Sequence, residues 1–272
     1  MAARRFHGGL DLPGHKDEST GAGLRPIAAP ARLRVSLLQH AGLPAEPCVA
    51  VGDVIVRGQV IATAAPGAGA PVHAPLPGRV LELQSLALPG APAVAVPHLV
   101  IEVTPGGPET TMPPLDPGAD IELLRARLHE AGLVGLGGAG FPTAEKLAAR
   151  RATLVLNGAE CEPWIACDDA LLREQARDVV RGALLMARIA GAEEVLLAVE
   201  DSMVAAREAC ARAIAEVADA RVRLVEVPTR YPQGGERQLI QVLTGREVPR
   251  GGLPRDIGVV VVNVGTAHAA WR

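Results

Sequence analysis

The stretch from Ile257 to Gly265 reads "IGVVVVNVG". Four successive valines leave no polar face, so the run suits a strand covered on both sides. Working back from it, helical and extended patterns alternate. "GERQLIQVLTG" (235–245) reads as a helix and "VRLVEVP" (222–228) as a strand. "SMVAAREACARAIAEVADA" (202–220) is a helix and "EEVLLAVE" (193–200) a strand. "DDALLREQARDVVRGALLMARIAG" (168–191) is a long helix that Gly191 stops, and "TLVLN" (153–157) is a strand. Strands separated by helices imply a mainly parallel α/β sheet, and ligands of such sheets bind at the carboxyl ends of the strands.

Further upstream the grammar changes. Residues 31–104 hold short β-type runs, "LRVSLL", "CVAVGDVIVRGQVIAT", "GRVLEL" and "HLVIEV", punctuated by Gly-Asp, Arg-Gly and Pro-Gly. That is the pattern of a small all-β domain. Residues 1–30 lack periodicity and read as an extended N-terminal arm. Residues 105–119 are too rich in proline and glycine for helix or sheet and read as a linker or covering loop. The α/β domain then spans 120–272. It opens on the helix "DIELLRARLHEAGL", with Asp120 as N-cap and Gly132 just past its end.

Composition narrows the function. The chain has 272 residues, 49% of them hydrophobic, and a net charge of −3. It can bury a core, and it lacks the basic balance of a nucleic-acid binder. No apolar run approaches the roughly 18 residues of a membrane span. The four cysteines, Cys48, Cys161, Cys167 and Cys210, form no C-x-x-C pair, so no metal or cluster site is expected.

Three loops carry the chemistry. "GLGGAGFPTAEK" (135–146) holds the letters G-x-G-x-x-G in Gly135, Gly137 and Gly140, with Gly138 between. A dinucleotide fingerprint follows a strand, and here a helix precedes; a P-loop needs Gly-Lys, and here Phe141-Pro142 follows. The loop alone is as readily structural as functional. Pro142 marks the start of a short helix, "AEKLAARR", whose N-terminus suits an anion. Lys146, one of only two lysines, lies a turn inside it. "NGAECEPWIACDD" (157–169) follows one strand and "YPQGGERQLI" (231–240) another, both at carboxyl ends. Three of the five aromatics, Phe141, Trp164 and Tyr231, fall in or beside these loops. That placement suits stacking on a flat ligand. One of the two glutamates of the second loop could instead cap the helix that follows, Glu162 before Glu160. "CDD" (167–169) reads as capping that helix rather than as a metal site. With no histidine nearby, Cys161 does not read as a nucleophile.

Taken together, "GGLDLPGHK" (8–16), "GLGGAGFPTAEKL", "NGAECEP" and "YPQGGERQLIQVLTGREVPRGGLPRDIGVVVVNVGTA" (231–267) resemble RnfC/RsxC, the NADH-side subunit of the Rnf/Rsx ion-translocating electron transport complex. That family is in turn similar to the FMN- and NADH-binding subunit of respiratory complex I. The resemblance implies a Rossmann-like α/β domain with FMN on the glycine loop and NADH stacked over it. By it, Gly135, Gly137, Gly138, Gly140, Phe141 and Lys146 bracket flavin and phosphates. Asn157, Glu160 and Cys161 line the isoalloxazine, and Glu160 and Glu162 hold the nicotinamide or tune the flavin by their charge. Tyr231, Gly234 and Glu236 line the nicotinamide side, and Asn263 and Thr266 the ribityl-phosphate end. The sequence departs from the complex I pattern at Leu136, Ala159, Cys161, Gly235 and Val262, and "LAARRA" offers no aromatic for adenine. "VGDVIVRGQVIA" and "APVHAPLPGRVLEL" resemble the two halves of a lipoyl/biotinyl-like barrel-sandwich. Its expected carrier turn, "HAPLPG", has no lysine, so it reads as a docking or packing module, with His73 a turn residue.

The implied function is electron entry from NADH through FMN to iron–sulfur clusters. The [4Fe-4S] clusters are expected only in a C-terminal region that this chain lacks, so it reads as a truncated product. The implied partners are NADH and the other complex subunits, membrane subunits among them, at the cytoplasmic face of the plasma membrane. The rival expectations are a non-catalytic assembly subunit and a soluble flavin-dependent NADH dehydrogenase.

Overall fold

The computed structural model describes residues 6–21, 23–65, 69–88 and 91–272. Contacts divide the chain into two compact units, one of Pro26–Glu145 and one joining the described part of Met1–Arg25 to Lys146–Arg272.

The Pro26–Glu145 unit is built from antiparallel β-structure. One sheet has the order β1 (Arg32–Ser36), β7 (Ala91–Val103), β6 (Gly78–Leu88), β3 (Val54–Ile55). The other has the order β2 (Glu46–Pro47), β4 (Val60–Thr63), β5 (Val72–His73). Alternating apolar residues fill the space between, with Leu37, Ile55, Ile61, Leu99 and Ile101 almost wholly buried. The proline-rich segment covers this unit: Thr110 N–H donates to the Arg57 carbonyl and Arg57 N–H to that of Pro108. Gly58 permits that approach, since a Cβ there would stand 2.2 Å from the Thr110 oxygen.

Helix α2 (Ile121–Glu130) begins as read, with the Asp120 carboxylate accepting from the N–H groups of Glu122 and Leu123. Gly132 follows at φ 65, where a Cβ would meet the Pro71 oxygen at 2.4 Å. That close approach packs the helix against the β strands. The unit boundary therefore falls at Lys146 rather than at Asp120.

The other unit carries a parallel sheet of order β10 (Val222–Val227), β9 (Glu194–Glu200), β8 (Thr153–Gly158), β11 (Val259–Asn263). Its strands are joined through α4 (Cys167–Ala190), α5 (Val204–Val217) and α6 (Glu236–Thr244), and α7 (Val264–Trp271) follows the last strand. Strands β8, β9 and β11 are almost continuously buried, as their unbroken apolar runs require. Gly191 ends α4 in the left-handed conformation. The run around β11 is shorter than its sequence reads. Asn263 stops the strand by accepting the Gly265 N–H on its side-chain oxygen, and Val264 already begins α7. Close packing of α7 on α4 needs Gly182, where a Cβ would lie 1.8 Å from the Ala267 oxygen.

The N-terminal segment is not a free arm. Phe6 is buried among Val155, Val227, Leu239 and Ile240, and Leu10 exchanges two main-chain hydrogen bonds with Tyr231. Lys16–Thr20 forms a short helix, α1. Phe6 supplies the reason: a core poor in aromatics takes one from outside the sheet.

Candidate functional site

Strand order locates the site. From β8 the chain moves outward through β9 to β10, then returns to the opposite side of β8 for β11. In open α/β sheets ligands bind at such a reversal, outside the carboxyl ends of the strands, here those of β8 and β11. Asn157 and Asn263 end those strands and stand in direct register.

Both asparagines hold loops in place. Asn157 accepts from Ala159 N–H at 3.0 Å and donates to the Gly234 carbonyl at 2.9 Å, tying the loop after β8 to the loop after β10. Gly234 is glycine because a Cβ would meet the Ala159 oxygen at 2.4 Å. Asn263 caps α7 and donates to Asp168 Oδ2 at 2.6 Å.

Glu160, only 4% exposed, turns its carboxylate onto the start of α4. Its oxygens accept from the N–H groups of Asp168 and Asp169 at 3.1 and 3.3 Å and from the Cys167 thiol at 3.0 Å. Helix α4 starts at Cys167, and Ala166 at its N-cap has no side chain to offer. The cap is therefore Glu160, not Glu162 and not the "CDD" residues, which form the first turn. Glu160, Cys167 and Asp168 lie within 4.8 Å of one another, and this capping accounts for the cluster. Glu162 is exposed at the rim.

Lys16 Nζ donates to the main-chain carbonyls of Glu160 and Ile165 and lies 4.0 Å from Glu160 Oε2. Trp164 N–H donates to Gly14, and the exposed Trp164 ring stacks on His15 at 4.7 Å. The ring partner of Trp164 is thus the protein itself. Tyr231 is partly exposed and anchored by its backbone to Leu10. Lys146 pairs with Glu236 at 3.6 Å.

Charge accumulates beneath the loop. Glu200, at the end of β9, is wholly buried, and neither of its oxygens has a hydrogen-bond partner among the described residues. Burial pushes its carboxyl up to about 7, with Asp201, Glu160 and Glu162 adding and Lys16 opposing. Burial and then Glu160 push Asp168 up to about 6. Burial also raises the thiols of Cys161 and, to about 12, Cys167. Both are thiols at neutral pH. Gln233 is fully buried with both amide atoms unpartnered.

The glycine loop belongs to the Pro26–Glu145 unit. There it is a hairpin-like turn: Val134 bridges Pro142, and Gly135 N–H donates to the Phe141 carbonyl. Gly140, at φ 58, offers its carbonyl to Ala41 N–H. Gly138 stands at φ 97 with no atom within 4 Å of where a Cβ would be. Gly137 and Phe141 are exposed. The helix expected after Pro142 is only Thr143–Lys146, and Thr143 N–H is already bonded to Leu133. That N–H is therefore already taken, and the helix stops before buried Leu147, with β8 beginning at Thr153. A small cleft of about 250 Å³ is lined by Phe6, Asp11, Asp201, Pro228, Thr229 and Arg230, away from the β8–β11 strand ends.

Sequence reading missed Lys16, Asp168 as a half-buried acid, Glu200 and Gln233. Lys16 had a signal, being one of two lysines and lying in "GGLDLPGHK". Glu200 had a weaker one, an acid closing an apolar strand.

The pattern of the Nuo51 FMN-binding domain matches residues 128–272, and that of the RnfC barrel sandwich hybrid domain matches residues 4–105. The C component of the ion-translocating oxidoreductase complex of Pseudomonas aeruginosa is 46% identical over 98% of this chain and 35% of its own length. That of Erwinia tasmaniensis is 40% identical over 98% of this chain and 34% of its own. The chain thus spans about a third of the length of the curated relatives it matches. A solved NAD+-reducing [NiFe]-hydrogenase in the H2-reduced state aligns with TM-score 0.47 and 30% identity, over 58% of this chain and 31% of that one.

Proposed function

Because the chain belongs to the RnfC family, we propose that it is the electron-entry part of an Rnf-type complex, taking electrons from NADH through FMN toward iron–sulfur clusters. The observation that carries the reading is the pairing of Asn157 with Asn263 at the strand-order reversal, inside the stretch that matches an FMN-binding domain. A Rossmann-like use of the sheet follows, with ligand at the carboxyl ends.

The residues fit the group in kind. A flavin ring alternates carbonyl acceptors with ring N–H and nitrogen groups, which amides match. Gln233, beside Gly234, is a buried amide with no partner among the described residues, and α7 begins directly at the end of β11. In this reading the loops at 158–162 and 231–235 and the start of α7 hold the flavin, and Asn157 and Asn263 hold the loops. Glu162, Tyr231 and Glu236 stand at the rim, where the nicotinamide is received. Gly135, Gly137, Gly138, Gly140, Phe141 and Lys146 are assigned to flavin or phosphate on the resemblance. When bound, FMN supplies the conversion between a two-electron hydride donor and one-electron acceptors. The chain orients the rings and excludes water.

Among the described residues no helix is long and apolar enough to cross a membrane. Peripheral attachment to membrane subunits at the cytoplasmic face is part of the proposal. The test is reconstitution with FMN followed by anaerobic addition of NADH. Retained flavin absorbance that bleaches supports the reading. A folded chain that retains no flavin overturns it and favours an assembly role.

A further inference from the structure

The N-terminal segment crosses both loops of the candidate site. Leu10 pairs with Tyr231, Gly9 accepts from Arg230, and Gly14 accepts from Trp164. Ser19 donates to the Trp164 carbonyl at 2.6 Å, and Glu174 accepts from Leu24 N–H at 2.9 Å. At the centre is Lys16, whose ammonium reaches the carbonyls at the two ends of the stretch from Glu160 to Ile165. An ammonium with three donors suits such a point, where a single group must hold two carbonyls and face a carboxylate.

We propose that Lys16 is a positioning residue of the candidate nucleotide site: it clips the Glu160–Ile165 loop closed and is the cation against which the buried carboxyl groups beneath that loop are set.

Glu200 lies buried at the end of β9, beneath the loop that Lys16 holds. The charges and titratable groups felt there are Lys16 from the N-terminal segment, Asp201 next in the chain, and Glu160, Glu162 and the Cys161 thiol from the loop after β8. Lys16 is the only positive charge in that set. A carboxyl with no exposure and no hydrogen-bond donor holds its proton unless a neighbouring cation offsets the charge. Lys16 also opposes the rise at Asp168, after the Asn263 hydrogen bond, and at Asp169, after Arg173, so one side chain acts on three acids. The protonation of the layer beneath the site therefore depends on whether the N-terminal segment is seated.

Which ligand the loop serves rests on the flavin reading, so the test uses the full chain without flavin and stands or falls apart from it. The protonated Glu200 carboxyl is followed by infrared titration and identified by its loss in Glu200→Gln. Lys16→Met is expected to move its midpoint upward by about one pH unit, and Lys16→Arg to leave it near the native value. Because Lys16 and Lys146 are the only lysines, isotope-labelled lysine gives a second reading on the unmutated protein. The Lys16 signal is expected to follow the Glu200 titration and to stop doing so in Glu200→Gln, with Lys146 unaffected. An unmoved midpoint in Lys16→Met, or a Lys16 signal indifferent to Glu200→Gln, overturns the proposal. If Lys16→Met fails to fold, the lysine titration decides alone.

Discussion

Replacing Glu160 by glutamine separates the two jobs of that carboxylate. Its oxygens accept two N–H groups and a thiol at the start of α4, the longest helix of the chain and the one packed on α7 at Gly182. Glutamine keeps one acceptor and turns an NH2 group toward donors. A side-chain cap contributes about 0.5–2 kcal/mol, and a carboxylate at a helix start about 0.3–1 kcal/mol. Losing the charge and one acceptor should cost about 1–2 kcal/mol. Lys16 keeps both of its carbonyl partners, so it adds no large further loss. In a unit of this size, that is a fall in Tm of about 2–8 °C. The pH dependence is the sharper part. Glu160 raises both Asp168 and Glu200, so at pH 8, where both are ionised, removing its charge also relieves repulsion. At pH 5 both hold protons and the lost cap appears alone. Thermal melts followed by circular dichroism at the two pH values should show the larger loss at pH 5. No loss at pH 5 would refute the capping, and an equal or larger loss at pH 8 would refute the charge cluster.

Gly234→Ala should destabilise the chain by about 1–3 kcal/mol. A Cβ there must push the Ala159 carbonyl away from 2.4 Å and stretch the Asn157–Gly234 bond; an unchanged Tm would show that the two loops are not in contact. Glu200→Gln should change the pH profile of stability. The folded group sits at about 7, above its ordinary value of 4.5, so the native state binds the extra proton. Its contribution is full below pH 4.5 and is lost as pH rises through 7. The displacement corresponds to about 3 kcal/mol at most. Wild-type melts should fall between pH 5 and pH 8 relative to those of Glu200→Gln, and parallel profiles would count against a buried, unpartnered carboxyl.

The sheet was legible because parallel strands buried on both faces have to be written as apolar runs. The runs at 153–157, 193–200 and 257–265 each hold a strand, the last only over Val259–Asn263. The cap at Asp120 and the stop at Gly191 were legible because each acts within one turn of chain. What escaped depends on partners far away in sequence. Lys16 meets Glu160 across 144 positions, and Ser19 meets Trp164 across 145. No periodicity reports such contacts, so residues 1–30 read as an arm. The choice between Glu160 and Glu162 as cap was equally hidden. Both precede the helix, and only the turn of the loop decides which carboxylate points back. The helix after Pro142 failed for another reason. Its residues favour helix locally, but buried Leu147 and the nearby start of β8 leave room for a single turn.

The asparagines at the strand ends sharpen what recognition at this reversal can mean. As direct ligand contacts, Asn157 and Asn263 would have to release the Gly234 carbonyl, the Ala159 N–H, Asp168 and the Gly265 N–H. Each exchange forfeits about 1 kcal/mol, and more for the bond to a carboxylate. It would also loosen the loops that shape the site. The hydrogen bonds support the opposite division of labour for the proposed site, with the asparagines as struts and Gln233, an amide buried without a partner among the described residues, as the group left over. The same logic applies to Glu160, whose charge is felt at Asp168 and Glu200 although its oxygens are occupied at α4. Residues that a motif marks as touching a ligand can therefore act one step removed, by fixing the surfaces and the charge that do.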